Sequence, residues 1–243
     1  MASQILQEEE QPDDFLQKTK DIENEEKVSN PIRYKDEPDI RLRDDVEYVE
    51  KKVTKQIYAA YDRDACLYAH NKARSFHKVP SLTWSDDLAK GAKNWAVYLL
   101  ENDYFENKTH YPVGENLYMM PWGGRFQRVY DAVYTQYSEV TNCDFSHLDR
   151  YSHDDTAFLE VGNFSQIVWK DTKQVGSAIA YDPKAKKTVI VTRFRRGQTY
   201  DFKAQVLPQK IEGVEGVFVP KKEAFIPSHD VQPTLEQVET YFV

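Results

Sequence analysis

The chain has 243 residues and a formal net charge of −8, enough for one sizeable domain with extensions. Residues 1–50 hold 16 Asp and Glu against 7 Lys and Arg, whereas residues 51–243 hold 24 against 25, so the acidity belongs to the N-terminal arm. A near-neutral body lacks the clustered cations that a phosphate backbone demands, which excludes a nucleic-acid partner. No apolar run approaches the ~18 residues of a membrane span. The start, Met1-Ala2-Ser3 running into three glutamates, has neither the basic nor the apolar part of an export signal. Cys66 and Cys143 are the only cysteines. Two thiols are too few for a disulfide scaffold, so both are expected reduced and buried, in a cytoplasmic protein, with unconventional secretion left open.

In chain order, residues 1–45 form an acidic arm too poor in apolar side chains to offset its ordering entropy. Val46, Val49, Val53, Ile57 and Tyr61 recur at three- and four-residue steps and predict a helix. A second helix runs from about Cys66 to His77 and is stopped by Pro80. Ser85 is an expected N-cap for a third, with Asp86 and Asp87 in its first turn and Leu88, Ala92, Trp95, Ala96 and Leu99 as its buried stripe. A further helix carries Phe126, Val129, Tyr130, Val133 and Tyr137, followed by a polar loop over 141–158. Strands are expected at 165–170, 174–182 and 188–195, the last two joined as a hairpin. Helices first and strands later predict an α+β fold with helices packed on an antiparallel sheet.

Several motifs in fixed order resemble the CAP superfamily (cysteine-rich secretory, antigen 5, pathogenesis-related). They are His70-Asn71-x-x-Arg74, Pro80-x-Leu82-x-Trp84, His110-Tyr-Pro-Val-Gly-Glu115-Asn116-Leu117, Tyr137-Ser138-Glu139, and Gly162-Asn163-Phe164-Ser165-Gln166-Ile167-Val168-Trp169. The resemblance covers about residues 55–210 and implies an αβα sandwich. That divides the chain into an arm at 1–45, a CAP domain at 46–210 and an extended tail at 211–243, laid over the domain. The closing Val206-Leu207-Pro208, the missing signal and the lack of cysteine pairs look most like the Golgi-associated pathogenesis-related branch. That branch is intracellular and peripheral to membranes, but its myristoylated glycine is replaced here by Ala2.

The family places two histidines and two glutamates round one cleft. Motif matching carries them to His110, Glu115, Glu139 and Asn163, where an amide stands in place of the second imidazole. His110, Glu115 and Glu139 could still hold a divalent metal such as Zn²⁺, in a harder and weaker site. Each glutamate could instead be structural, Glu115 accepting backbone N–H groups and Glu139 pairing with Arg74 or a loop. His147 or His153 could supply the missing nitrogen. A Ser-type or metal-dependent hydrolase is the alternative enzyme reading. It lacks a Gly-x-Ser-x-Gly elbow and a second group that titrates near neutral pH, so no catalytic residue is assigned.

The resemblance instead implies a non-catalytic module that binds a lipid (sterol, fatty acid or acidic phospholipid) or a protein partner, with self-association through the cleft face. Tyr118, Met119, Trp122 and Phe126 interleave aromatic and polarizable side chains in a candidate groove. The alternative for Trp122 and Phe126 is a place in the core. Arg193, Arg195 and Arg196, with Lys184, Lys186 and Lys187, could touch anionic headgroups in a peripheral membrane contact. A third reading is an interaction scaffold acting through its terminal extensions.

Overall fold

The computed structural model describes residues 57–109, 112–121 and 126–230. The acidic arm, the Val46, Val49 and Val53 positions, His110, Trp122 and residues 231–243 lie outside the described residues.

Among the described residues five strands make one sheet: β1 (Tyr58–Ala60), β2 (Thr83–Trp84), β3 (Val113–Met120), β4 (Gln174–Asp182) and β5 (Lys187–Arg195). Their order is β1-β4-β5-β3, with β2 added in parallel at the start of β4. The expected hairpin is β4–β5, in register from Gln174 opposite Arg195 to Asp182 opposite Lys187. Its turn is closed by Asp182, whose carboxylate accepts the N–H groups of Lys184 and Ala185. β4 and β5 are buried on both faces because helices cover both.

The helices are α1 (Arg63–Phe76), α2 (Asp86–Glu101), α3 (Val129–Tyr137), α4 (Asp155–Leu159), α5 (Gly162–Val168) and α6 (Phe202–Gln205). One sheet face presents Ala178, Ala180, Val189 and Val191 to α2, which answers with Ala92, Trp95, Ala96, Leu99 and Leu100. The approach is close: a Cβ on Gly176 of β4 would lie 2.3 Å from the backbone nitrogen of Ala89. Ser85 caps α2 as expected, its side chain accepting the N–H of Leu88. The other face presents Val175, Ile179, Ile190 and Phe194 to the larger core built by α1, α3 and α5. The result is the expected α+β sandwich.

The first motif pair has a structural reason. Arg74 is fully buried and donates to the carbonyls of Pro80, Ile167, Trp169, Lys170 and Thr172, tying α1 to the end of α5. Asn71 exchanges two hydrogen bonds with the backbone of Leu82, at 3.1 and 2.7 Å, fixing the entry to β2.

Three expectations are corrected. The helix expected through Ile57 and Tyr61 is strand β1 at Tyr58–Ala60, paired antiparallel with β4, with Ile57 and Ala59 packed under α2. The strand expected at 165–170 is helix α5: Phe164, Ile167 and Val168 stand at i, i+3 and i+4 and enter the core together. The loop at 141–158 contains a 3₁₀ turn at Leu148–Ser152 and the short helix α4. Strand β3 was not foreseen at all.

Beyond residue 210 the chain is largely irregular and lies over α1 and α3. A 3₁₀ turn at Lys222–Phe225 drops Phe225 into the core against Phe76, Tyr134 and Tyr137. Cys66 and Cys143 are unpaired and buried, as their isolation in the sequence implied.

Candidate functional site

The site starts from α5. Its second residue, Asn163, is half-buried, and its amide donates to one carboxylate oxygen of Glu139 at 2.7 Å. The other oxygen accepts the backbone N–H of Phe164 at 2.9 Å. Glu139 sits in the 3₁₀ turn Ser138–Asn142 that continues α3, so this contact joins the end of α3 to the start of α5. Burial pushes the Glu139 carboxyl above its ordinary range, and the bonds from Asn163 and Phe164 draw it back down. Arg74, expected as a partner for Glu139, instead donates to the carbonyls of Pro80, Ile167, Trp169, Lys170 and Thr172.

Asn116, the residue after Glu115, closes the same wall. Its amide donates to the carbonyl of Asn163 at 3.0 Å and reaches Gln136 at 3.4 Å. Gln136 in turn donates to the carbonyl of Leu117 at 3.1 Å. Sequence reasoning passed over Asn116 and Gln136. The alternation along β3 was the signal that would have found Asn116, because its neighbours necessarily point the other way.

Glu115 is one of those neighbours, and the structure does not bring it to Asn163. It faces the α2 side of the sheet, where it accepts the guanidinium of Arg193 at 2.8 Å and the N–H of Lys108 at 2.7 Å. Both side chains are nearly inaccessible, 1% for Glu115 and 6% for Arg193. Gly91 of α2 lies against the same guanidinium, a Cβ there falling 2.2 Å from it. Arg193 is therefore a buried counter-charge and not a headgroup contact. Arg195 is half-buried beside Gln174, Lys187 reaches Asp103, and Arg196, Lys184 and Lys186 are exposed.

The candidate groove divides in the same way. Tyr118 packs toward the α1/α3/α5 core and Met119 toward the α2 core, because consecutive strand residues point to opposite faces. Phe126 is buried and meets Tyr181 edge to face, which makes it a core residue.

Tested as metal ligands, the described members do not fit: the oxygens of Glu139 and Glu115 are occupied by protein donors, and the two residues lie on opposite sheet faces. Among the described residues no group of three or more His, Cys, Asp or Glu is arranged to hold a metal ion. His147 is exposed and bonded to Asp144 at 2.8 Å, and His153 is exposed. The serines nearest the site are also committed. Ser165 is fully buried, donating to the carbonyl of Gly162 and accepting from Gln198, and Ser138 donates to the carbonyl of Thr135.

The profile of the family described as "CAP: Cysteine-rich secretory protein family" matches residues 67–194, from the middle of α1 through β5. The chain belongs to the CAP family. Among curated CAP relatives, Venom allergen 3 of Solenopsis invicta is 31% identical over 101 residues, 41% of this chain and 43% of that one. Protein PRY2 of Saccharomyces cerevisiae is 37% identical over 114 residues, 45% of this chain and 30% of that one. The chain thus spans less than half the length of these relatives. Among solved structures, Schistosoma mansoni venom allergen-like protein 4 is 21% identical with a TM-score of 0.45, covering 62% of this chain and 96% of that one. NaASP2, solved with Zn²⁺, is 17% identical with a TM-score of 0.45, covering 57% of this chain and 83% of that one.

Proposed function

We propose that this CAP domain is a non-catalytic binding module, taking a lipid or a protein partner at the face where Glu139, Asn163 and Asn116 meet. The observation that carries this reading is the Glu139–Asn163 contact. An amide neither titrates nor offers a free imidazole nitrogen, and here it is spent on holding the carboxylate. A hydrolytic site would need a group at this point that gains and loses a proton near neutral pH. No helix among the described residues is long and apolar enough to cross a membrane, so contact with lipid on this reading is peripheral or with single molecules. The branch placement near the Golgi-associated proteins belongs to the same proposal. The cytoplasmic expectation gains no support, since the matched family is described as secretory and one of the relatives named above is a venom allergen.

Native mass spectrometry after incubation with a sterol, a fatty acid and an acidic phospholipid tests the lipid arm of this reading, with a casein and ester turnover assay in parallel. Retained lipid or a captured partner lost on Asn163→Trp, without turnover, is the expected result. Turnover that disappears in His110→Ala would overturn it. A Zn²⁺ titration of the parent beside Asn163→His adds an independent check on the site. The variant is expected to bind at least tenfold more tightly, and equal affinities would mean that Asn163 does not occupy the position of the family imidazole.

A further inference from the structure

We infer that the groove between α1 and α3 is a docking site for residues 219–230 of a second copy of this chain, so that two molecules associate by exchanging their straps. This is independent of the cleft reading, because the groove involves neither Glu139 nor Asn163.

The strap is built as a removable element. Phe225 is its anchor, fully buried among Phe76 of α1 and Tyr134 and Tyr137 of α3. Charge pairs fix it on either side of that anchor. Lys222 pairs with Asp131 in the first turn of α3, and Asp230 accepts from Arg128, which is already held by Asp62 ahead of α1. Val219, Ala224 and Ile226 pack along the core edge. The strap residues themselves lie outside residues 67–194, where the family profile matches, whereas the groove residues they touch lie inside it.

Between the strap and the domain lies a hinge of a different character. Residues 212–218 are exposed, and Gly213 and Gly216 take positive φ values of 73° and 78° with nothing within 4 Å of an added Cβ. One side chain holds the hinge closed. Gln209 donates to the carbonyl of Phe218 and accepts the Phe218 N–H, at 2.6 and 2.7 Å, while also donating to the Tyr137 hydroxyl. The hinge nevertheless exposes Val214, Val217 and Phe218 at 37%, 46% and 39%. A closed monomer leaves these apolar side chains in water. Two opened hinges running side by side would cover them, and every strap contact would be remade in the partner groove. Exchange therefore costs only the association entropy and the Gln209 clamp, and it gains the hinge burial. The groove contacts are the same in either arrangement, so the exposed hinge is what favours a second copy as the occupant.

The test is to delete residues 211–217, leaving Lys210 alone between the clamp partners. A chain reversal needs about two loop residues, so the strap can no longer return to its own groove. Light scattering is expected to give twice the mass of the shortened chain, and adding Phe225→Ala to the deletion is expected to restore the single mass. A folded monomeric deletion variant, or a dimer indifferent to Phe225→Ala, would overturn the proposal. Should the deletion not fold, the full chain decides. A light and an isotopically heavy sample, unfolded together in urea and refolded at high concentration, are expected to give mixed dimers by native mass spectrometry that Phe225→Ala abolishes. Monomers alone would be the contrary result.

Discussion

At the scale of single residues, the Asn163 amide supplies a half-buried Glu139 carboxylate with a hydrogen bond that water would otherwise give. Asn163→Ala removes that donor while leaving the Phe164 N–H in place, so the folded state should lose about 1–2 kcal/mol at neutral pH, read by urea denaturation. The loss should shrink in acid as Glu139 takes up a proton, since a neutral carboxyl needs the donor less. A loss that stays constant from pH 7 to pH 4 would mean the carboxylate is not the amide's partner. How much of this site was legible follows the same residues. Glu139 and Asn163 were found from motifs lying 24 positions apart, because each motif is tied to one helix end. Glu115 was misplaced, since a motif match states which residue is present and not which way a strand turns it. Its pairing with Arg193 depends on the β3–β5 register, which is set by contacts 78 residues apart that no local pattern carries.

At the scale of elements, the β4–β5 hairpin and helices α1, α2 and α3 were readable because their apolar spacing is long enough to separate a period of 2 from one of 3.6. Helix α5 and strand β1 were read wrongly because each is short, and seven or three residues fit either period. What decides α5 is tertiary: Arg74 gathers the carbonyls at its end, and Glu139 takes an N–H at its start. Arg74→Met should therefore leave several buried carbonyls without a donor and cost on the order of 3 kcal/mol or more. Arg74→Lys should recover only part of this, since one ammonium cannot span five carbonyls on the geometry of a planar fork. Equal stabilities for the two variants would argue that packing, and not the hydrogen bonds, holds α5. The strap gives a parallel case. Phe225→Ala should cost about 3–5 kcal/mol if its ring fills the core as fully as its burial indicates. Chemical denaturation measures this, and a loss below about 1 kcal/mol would mean the strap is only surface dressing.

At the scale of the whole molecule, two buried histidines set an acid limit. Burial lowers His70 and His77 from 6.5 to about 4 in the folded chain. His70 is held neutral with one ring nitrogen against the Cys66 carbonyl, and His77 bridges the Leu207 carbonyl and the Tyr137 hydroxyl. Below 6.5 the unfolded chain binds protons that the folded chain refuses. Their contribution is therefore complete above about pH 6.5 and is lost as pH falls toward 4, by up to on the order of 3 kcal/mol for each. Thermal melts at pH 7 and pH 4.5 should show this, and His77→Gln should flatten the dependence. A melting temperature unchanged between those pH values would remove the buried-histidine account. The same interior holds Cys66 and Cys143, whose thiols burial raises, Cys143 to about 12 and Cys66 well above its usual value. Neither can form a thiolate while the chain is closed, so oxidising and reducing surroundings should leave the fold alike. An alkylating maleimide then becomes a clock for breathing: Cys143 reports the opening of the 144–151 cover, and Cys66 reports loss of the interior beneath α1.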